Sequence, residues 1–404
     1  MNMIPYGRQS ISPADIDAVS ECLWSGWLTT GPAVQEFEEA FARRVGAKHA
    51  VAVCNATAAL HLAMLAAEIG PGDRVITSPN TFLSSANCAA FVGATPDFAD
   101  IDPVSYTLCP KSLEASWQDD VKAVVAVDYA GQTADMPAIA DVVRRRGAVV
   151  IEDACHATGG RFEHNGKTYS VGGHPWADMT VFSFHPVKTM TTGEGGMLVT
   201  DNDVYANRAR SLRSHGMTRD PQSFSGLGDD GPEERGPWYY EMHDLGFNYR
   251  ITDLQCAIGL SQLTRLDEFT EKRRRLVKQY NDGLADVPAI ETPRLRNSND
   301  ADLTSWHLYT VQIDFESLGV SRTELMRSLA DAGIGSQVLY IPVHLQPWYR
   351  RQYGYTTGKC PAAEALYTRS LSLPLFPELA ESEQDHIIDT TLQLCTPPRT
   401  AAHR

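Results

Sequence analysis

Three short segments carry residues whose types and spacing bear chemistry. The first is Asn55-Ala56-Thr57-Ala58, set between a short apolar run and a stretch of good helix formers. Small residues at a helix start let the backbone approach a ligand, and free N–H groups there favour an anion such as phosphate. The same four residues also read as an asparagine cap followed by ordinary helix. The second is VVIEDACHATGG, with Glu152, Asp153 and His156 at the end of a very apolar run. A buried carboxylate needs a partner. A protonated ring nitrogen of a cofactor is one such partner, and an Asp that caps the next turn is the alternative. The third is MTVFSFHPVKTMTTGEGGMLVTD, where Lys188 lies among Phe182, Phe184, Val187 and Met190 before a glycine-rich turn. A lysine in apolar surroundings can become a neutral amine and a Schiff-base nucleophile. It can equally lay its stem along apolar surface and keep its head in water.

Each segment is ambiguous alone, and the ordered set is far more specific. A phosphate cradle, a strand-end aspartate and a lysine 35 residues later (188 − 153) supply what pyridoxal phosphate requires. The phosphate anchors the cofactor, the carboxylate keeps the pyridine nitrogen protonated as an electron sink, and the lysine bonds the aldehyde carbon.

The elements around these segments alternate. Short apolar runs at 50–53, 74–78, 95–101, 123–128, 148–153, 179–184 and 196–201 read as strands. Segments 56–68, 84–92 and 136–146 read as helices between them. That rhythm predicts an α/β fold with a mostly parallel sheet covered on both faces, and open sheets of this kind place ligands at the carboxyl ends of strands. Asn165-Gly166 predicts a two-residue hairpin turn inside 160–171. Residues 218–244, rich in Gly, Pro and acids, read as a long surface loop, and 251–284 as helix in two pieces. Beyond Pro288 the pattern is α+β, with strands in WHLYTVQID and SQVLYI and helices in SRTELMRSLADAG and PAAEALYTRSL.

Composition removes other classes. With 43% hydrophobic and 21% charged residues the chain is that of a globular protein rather than a disordered one. Its net charge of −15 argues against a nucleic-acid partner, which draws affinity from Lys and Arg on phosphates. No two of the eight cysteines have C-x-x-C spacing, so no metal site is expected and the thiols suit a reducing compartment. MNMIPYGRQS lacks the basic-then-apolar pattern of a signal peptide, and the richest apolar window is broken by Asn55, Thr57 and His61. The expectation is a cytoplasmic protein without a membrane span.

The motifs taken together resemble those of the DegT/StrS-type pyridoxal-phosphate sugar aminotransferases. The resemblance runs from Tyr6 through WLTTGPAVQEFEEAFA, NATAAL, EDACHATG, FSFHPVKTMTTGEGG, RSHGM and GFNYRITDLQCAIGLSQL to SLSLPLFPEL. VDYAGQ at 127–132, HPVKTMTTGEGG and WHLY at 306–309 are similar to the UDP-4-keto-6-deoxy-sugar 4-aminotransferases of pseudaminic-acid synthesis. The loop that includes DDGPEERGPWYYE at 229–241 is longer than in those compact enzymes. The resemblance implies the aspartate-aminotransferase-like fold (fold type I). Its three-layer large domain would span 1–255 and a smaller C-terminal α+β domain 256–404.

The same resemblance implies residue roles. Lys188 becomes the Schiff-base lysine and Asp153 the partner of the pyridine nitrogen, with Phe82 over the ring and His156 against the cofactor. Ala56, Thr57 and Ser183 match phosphate-binding positions. Asn248 matches an asparagine that reaches the phosphate held by a neighbouring subunit, with Arg250 close by, which implies a homodimer with shared active sites. Tyr6, the Gly26-Trp27-Leu28-Thr29 stretch, His215, and Val338, Leu339, Tyr340 and Ile341 match nucleotide-sugar contacts. For Tyr6 and Trp27, packing of an N-terminal arm is the alternative. The implied reaction aminates C4 of a nucleotide-linked 4-keto sugar, with L-glutamate as donor. Other readings are another keto sugar (dTDP- or GDP-linked, at C3 or C4), a sugar dehydratase, or a non-catalytic regulator. The related dehydratases carry histidine at the lysine position, and Lys188 is present here.

Overall fold

The structure is a computed structural model that describes residues 3–225 and 236–396. Helix α1 (Pro13–Trp24) starts at Ser12, whose backbone N–H donates to Asp15 in a capping box. Helix α2 (Pro32–Val45) stops at Gly46, which turns the chain at φ +88°. Then follow β1 (His49–Val53), α3 (Ala56–Ala66), β2 (Arg74–Thr77), α4 (Ser84–Phe91), β3 (Thr95–Phe98), α5 (Pro110–Ala115), β4 (Val121–Val127), α6 (Met136–Arg144) and β5 (Val149–Asp153). The hairpin β6 (Arg161–His164) and β7 (Lys167–Ser170) turns at Asn165-Gly166, both at positive φ, as that dipeptide requires. Strands β8 (Met179–Ser183) and β9 (Gly196–Thr200) and helix α7 (Asp203–Arg213) complete the large sheet and its cover.

That sheet has the order β1-β9-β8-β5-β4-β2-β3. Strands β8, β5, β4, β2 and β3 run parallel, and β9 is antiparallel to both β8 and β1. Strand β1 therefore points the same way as β8, so the carboxyl ends of β1, β2, β4, β5 and β8 share one edge. Both faces are dry, because the pleat sends alternate residues to opposite helices. On β4, Ala123 and Val125 pack with α3 and α4, whereas Val124 and Ala126 pack with α6. Phe37 and Phe41 of α2 cover the β1–β9–β8 end against Phe182 and Phe184.

Thr218, Glu241 and Met242 were expected inside one loop, yet a short ribbon forms there, β10 (Met217–Thr218) paired with β11 (Glu241–Met242). Ladder hydrogen bonds formed across a long excursion cannot be read from local composition. Residues 226–235, which hold much of the acidic Gly/Pro stretch, lie outside the described residues.

Helices α8 (Asp253–Leu263) and α9 (Leu266–Leu284) are the expected two pieces, and α8 packs on α1 and α2. Helix α9 faces a separate core with a three-stranded antiparallel sheet, β12 (Ile290–Glu291), β13 (Tyr309–Ile313) and, later in the chain, β14 (Ser370–Leu373). Between β13 and β14 lie α10 (Phe315–Leu318), α11 (Arg322–Asp331), α12 (Pro347–Tyr353) and α13 (Pro361–Arg369), and α14 (Glu381–Cys395) follows. Two expectations fail here. The helix in PAAEALYTRSL ends at Arg369, because Ser370 and Leu371 enter β14. SQVLYI is not a strand: Gln337 makes one bridge to Ser372, and the chain then leaves the sheet. Leu339 and Tyr340 of its apolar run form part of a cavity wall instead.

Candidate active site

The shared edge of the parallel strands opens on a cavity of about 440 Å3. Asn55, Ala56 and Thr57 enter it after β1, Thr81, Phe82, Ser84 and Ser85 after β2, and Asp153, Cys155 and His156 after β5. Ser183, His185, Val187 and Lys188 follow β8, while Tyr6, His307, Leu339 and Tyr340 close it from the N-terminal arm and the C-terminal part of the chain.

The anion-binding end is built by α3. The Asn55 side chain accepts the Ala58 N–H at 2.8 Å, so the cap takes the third amide and leaves those of Ala56 and Thr57 at the helix start. The cap and the cradle are thus compatible readings of one segment. Strand β9 passes so close that a Cβ on Gly196 would lie 2.6 Å from the Ala56 nitrogen, which is why glycine stands there. The Thr57 hydroxyl is 2.6 Å from that of Ser84, and Ser183 lies buried at the end of β8.

Strand alternation sorts the two acids at the end of β5. Glu152 faces away from the cavity, where it is 3.0 Å from His174 and accepts from Thr180 at 2.9 Å. Burial works against its charge, yet His174 and Thr180 outweigh that penalty and leave its pKa below the ordinary value. Asp153 faces the cavity. It accepts the Ser85 hydroxyl at 2.6 Å and the Cys155 N–H at 3.2 Å, which fixes its plane and leaves acceptor capacity for a ligand donor. Ser85 lies 68 residues upstream, and nothing in the sequence marks it as the partner of Asp153.

Lys188 is half-buried against the same cavity. Removal from water lowers its pKa below the usual lysine value, although Cys155 and Asp153 pull it back upward. That is the direction a nucleophilic amine requires. His156 is buried and neutral in tendency: desolvation first, then the Lys188 charge, holds its pKa well below the ordinary value.

Other expected contacts lie elsewhere on this chain. Asn248 is exposed, bridged to Ser214, in a segment that runs along the end of α7. Phe247 and Tyr249 turn inward and stack on each other at 4.9 Å, which sends Asn248 the other way. Arg250 lines a different groove with Arg210, Arg213 and Glu38. Gly26, Trp27, Leu28 and Thr29 are exposed, and Trp27 borders a shallow cleft with α1 and α8. His215 is half-buried at φ +66° beside the Asn248 segment, outside the cavity. Of the four residues Val338 to Ile341, only Leu339 and Tyr340 line the cavity.

Among the described residues no group of His, Cys, Asp and Glu is placed to hold a metal, the eight cysteines are free thiols, and no helix is long and apolar enough to cross a membrane.

The residues fit pyridoxal phosphate on three counts. Helix-start amides are free to take a phosphate, a fixed carboxylate has acceptor capacity for a ring N–H, and a desolvated amine stands at the same cavity. Fold and site together define a pyridoxal-phosphate enzyme of the aspartate-aminotransferase architecture. The sequence profile of the DegT/DnrJ/EryC1/StrS aminotransferase family matches residues 9–392. The spore coat polysaccharide biosynthesis protein SpsC of Bacillus subtilis is 42% identical over 389 residues, 96% of either chain. Helicobacter pylori PseC, an aminotransferase involved in the biosynthesis of pseudoaminic acid, superposes with a TM-score of 0.86 at 28% identity, covering 98% of this chain and 99% of that one. The putative sugar aminotransferase Spr1654 of Streptococcus pneumoniae, in its PMP form, gives 0.86 at 29% identity over 97% and 99%. The chain belongs to the DegT/DnrJ/EryC1/StrS aminotransferase family.

Proposed function

We propose that the protein aminates C4 of a nucleotide-linked 4-keto-6-deoxy sugar, with UDP-4-keto-6-deoxy-N-acetylhexosamine as substrate and L-glutamate as amino donor. The observation that carries the reading is the convergence of Lys188, Asp153 and the α3 start on one cavity. The names of SpsC and PseC, both tied to sugar biosynthesis, support the substrate class. In this reading residues 1–255 hold the cofactor, 256–404 form the smaller unit, and α8 and α9 join them.

Bound pyridoxal phosphate supplies an aldehyde that carries the amino group and a ring that accepts the electron pair left by a departing proton. The protein does the rest. The amides of Ala56 and Thr57, with Ser183, hold the phosphate, and Phe82 covers the ring. Asp153 keeps the ring nitrogen protonated, so that charge spreads into the ring. Lys188, once its amine is free, moves the proton at the carbon that gains or loses nitrogen, as general base and then acid. His156 lies against the cofactor as a neutral imidazole. Asn248 and Arg250 reach the site of a second subunit in a homodimer with shared active sites. Tyr6, the 26–29 stretch, His215 and residues 338–341 contact the nucleotide sugar.

A panel of UDP-, dTDP- and GDP-linked 4-keto sugars, assayed with L-glutamate and read by product mass, tests the reading. Gain of an amino group on the UDP-linked N-acetyl sugar is expected. Loss of a hydroxyl without gain of nitrogen would overturn it.

A further inference from the structure

The VDYAGQ segment carries a buried acid, Asp128, that the mechanism above does not use. Strands β4 and β5 pair Ala126 with Glu152, and paired residues of neighbouring strands project to one face. Asp128 lies two residues past Ala126, and its N–H continues the ladder by donating to the Asp153 carbonyl at 3.0 Å. Its side chain is thus on the Glu152 face, away from the cavity. Both carboxyls are fully buried. The α6 residues packed over this face, Met136 and Ile139 among them, are apolar. Among the described residues no lysine or arginine bonds to either acid.

Hydrogen-bond donors reach the two acids unequally. Glu152 takes the Thr180 hydroxyl on one oxygen and His174 on the other. His174 Nδ1 accepts the Trp176 N–H at 3.3 Å. An amide nitrogen always donates, so that ring is neutral and gives its one proton, on Nε2, to Glu152. Asp128 Oδ1 accepts the Ala134 N–H at 2.8 Å, whereas Oδ2 is buried with no donor among the described residues. Two carboxylates side by side with no cation, one of them with an orphaned oxygen, are too costly to stay ionised together. Burial first, then the Glu152 charge, pushes the Asp128 pKa well above the usual range, and the Asp153 charge adds to that push. Glu152 stays below its own ordinary value.

We infer that Asp128 is held as a neutral carboxylic acid that donates from Oδ2 to Glu152, and that this acid locks the turn 128–134 behind the cofactor site. The proton makes the orphaned oxygen a donor, and Glu152 has acceptor capacity left for it. Asp128 Oδ1 holds the Ala134 N–H, and the Asp128 carbonyl holds the Gly131 N–H at 3.2 Å. Between these two ties Ala130 sits at φ +59°, unfavourable for a residue with a Cβ, and gives its N–H to His156 Nδ1 at 3.3 Å. That bond leaves the proton of the neutral His156 ring on Nε2. Asp128 lines no part of the cavity, so it is a positioning residue that acts through Ala130 and His156. The inference needs the cavity to be the cofactor site and is independent of which sugar is aminated.

Infrared difference spectroscopy of the holoenzyme, wild type minus Asp128→Asn, reads the proton directly. At about pH 8 ordinary carboxyls are ionised, so the wild type should show the carbonyl band of a protonated carboxylic acid that Asp128→Asn lacks. The asparagine can make the same bonds, its amide donating to Glu152 and its carbonyl accepting from Ala134. Its apparent dissociation constant for pyridoxal phosphate should therefore stay within about threefold of wild type. Asp128→Ala leaves the Ala134 N–H and Glu152 short of partners and should raise that constant about five- to tenfold. If Asp128→Ala does not fold, Asp128→Leu, of similar size and without polar atoms, takes its place. Superimposable spectra would mean that Asp128 is ionised, and they overturn the proposal. An acid band together with equal cofactor affinity in the Asn and Ala (or Leu) variants overturns the lock on the turn. Neither measurement involves a sugar, so failure of the substrate panel leaves this test standing.

Discussion

Two regions of the molecule carry residues expected to meet ligands, and they are built in opposite ways. At the cavity edge, Asp153 is 5% exposed and polar groups are fixed by neighbours within the chain: Ser85 on Asp153, Asn55 on the α3 start, Ala130 on His156. On the outer face, Asn248 stands exposed, Trp24 is 91% exposed and Leu245 81%. The stretch 24–29 and the segment 245–250 hold large apolar groups in water. The first region is finished by its own fold. The second offers contacts that its own cavity does not use, as the proposed site shared between two copies would require.

The largest effect that can break this contrast is at Lys188. Lys188→Ala should abolish the visible absorbance of the lysine-bound cofactor and cut turnover by at least about 10²–10⁴-fold, the range for a lost proton-transfer group. Normal multiple-turnover transamination by the purified variant would remove the cavity edge from the chemistry altogether. Asn248 comes next. An amide that donates to a phosphate contributes roughly 1.5–3 kcal/mol, so Asn248→Ala should weaken cofactor retention about tenfold or more without unfolding. Mixing Lys188→Ala with Asn248→Ala subunits sharpens the point. In a shared site one heterodimer site collects both defects and the other is whole, so activity should exceed that of either parent. Verified subunit exchange with no recovery would make the outer face an ordinary surface.

The smallest effect concerns pH. His156 and His307 both lie buried with pKa held well below the ordinary value, His156 first by desolvation and then by Lys188, His307 first by desolvation and then by His156. In the unfolded chain each takes a proton below about pH 6.5, and in the folded protein it does not. The unfolded state therefore binds more protons there, so stability is fully present above that pH and falls as pH drops, by up to about 1.4 kcal/mol per histidine per pH unit. Chemical denaturation of the apoprotein at a series of pH values measures it. A midpoint flat from neutrality to pH 5 would mean that these rings are charged or solvated in the fold.

Much of the cavity edge was legible because its groups are local to strand ends. Lys188, Asp153 and the Asn55–Thr57 start each sit where an apolar run stops, and an open parallel sheet gathers such ends along one edge. Three kinds of feature were not legible. SQVLYI carries an apolar run like that of a strand, but Leu339 and Tyr340 within it wall a cavity and the chain makes only one bridge to the sheet. That Glu152 meets His174 on the face opposite Asp153 was a second such feature, since only the pleat and a distant loop decide it. The 217–218 and 241–242 ribbon pairs across an excursion that local composition describes as loop.

By itself, then, the sequence determined the residue types, their order along the chain and the strand ends that would carry them, because periodicity and turn chemistry act over a few residues. Only the tertiary structure decided that Ser85 holds Asp153, that Ala130 fixes the tautomer of His156, and that Asn248 faces away from its own cavity. Those outcomes rest on hydrogen-bond directions and burial between segments tens to hundreds of residues apart. Such contacts are set by how strands stack and turn, and no local pattern encodes them.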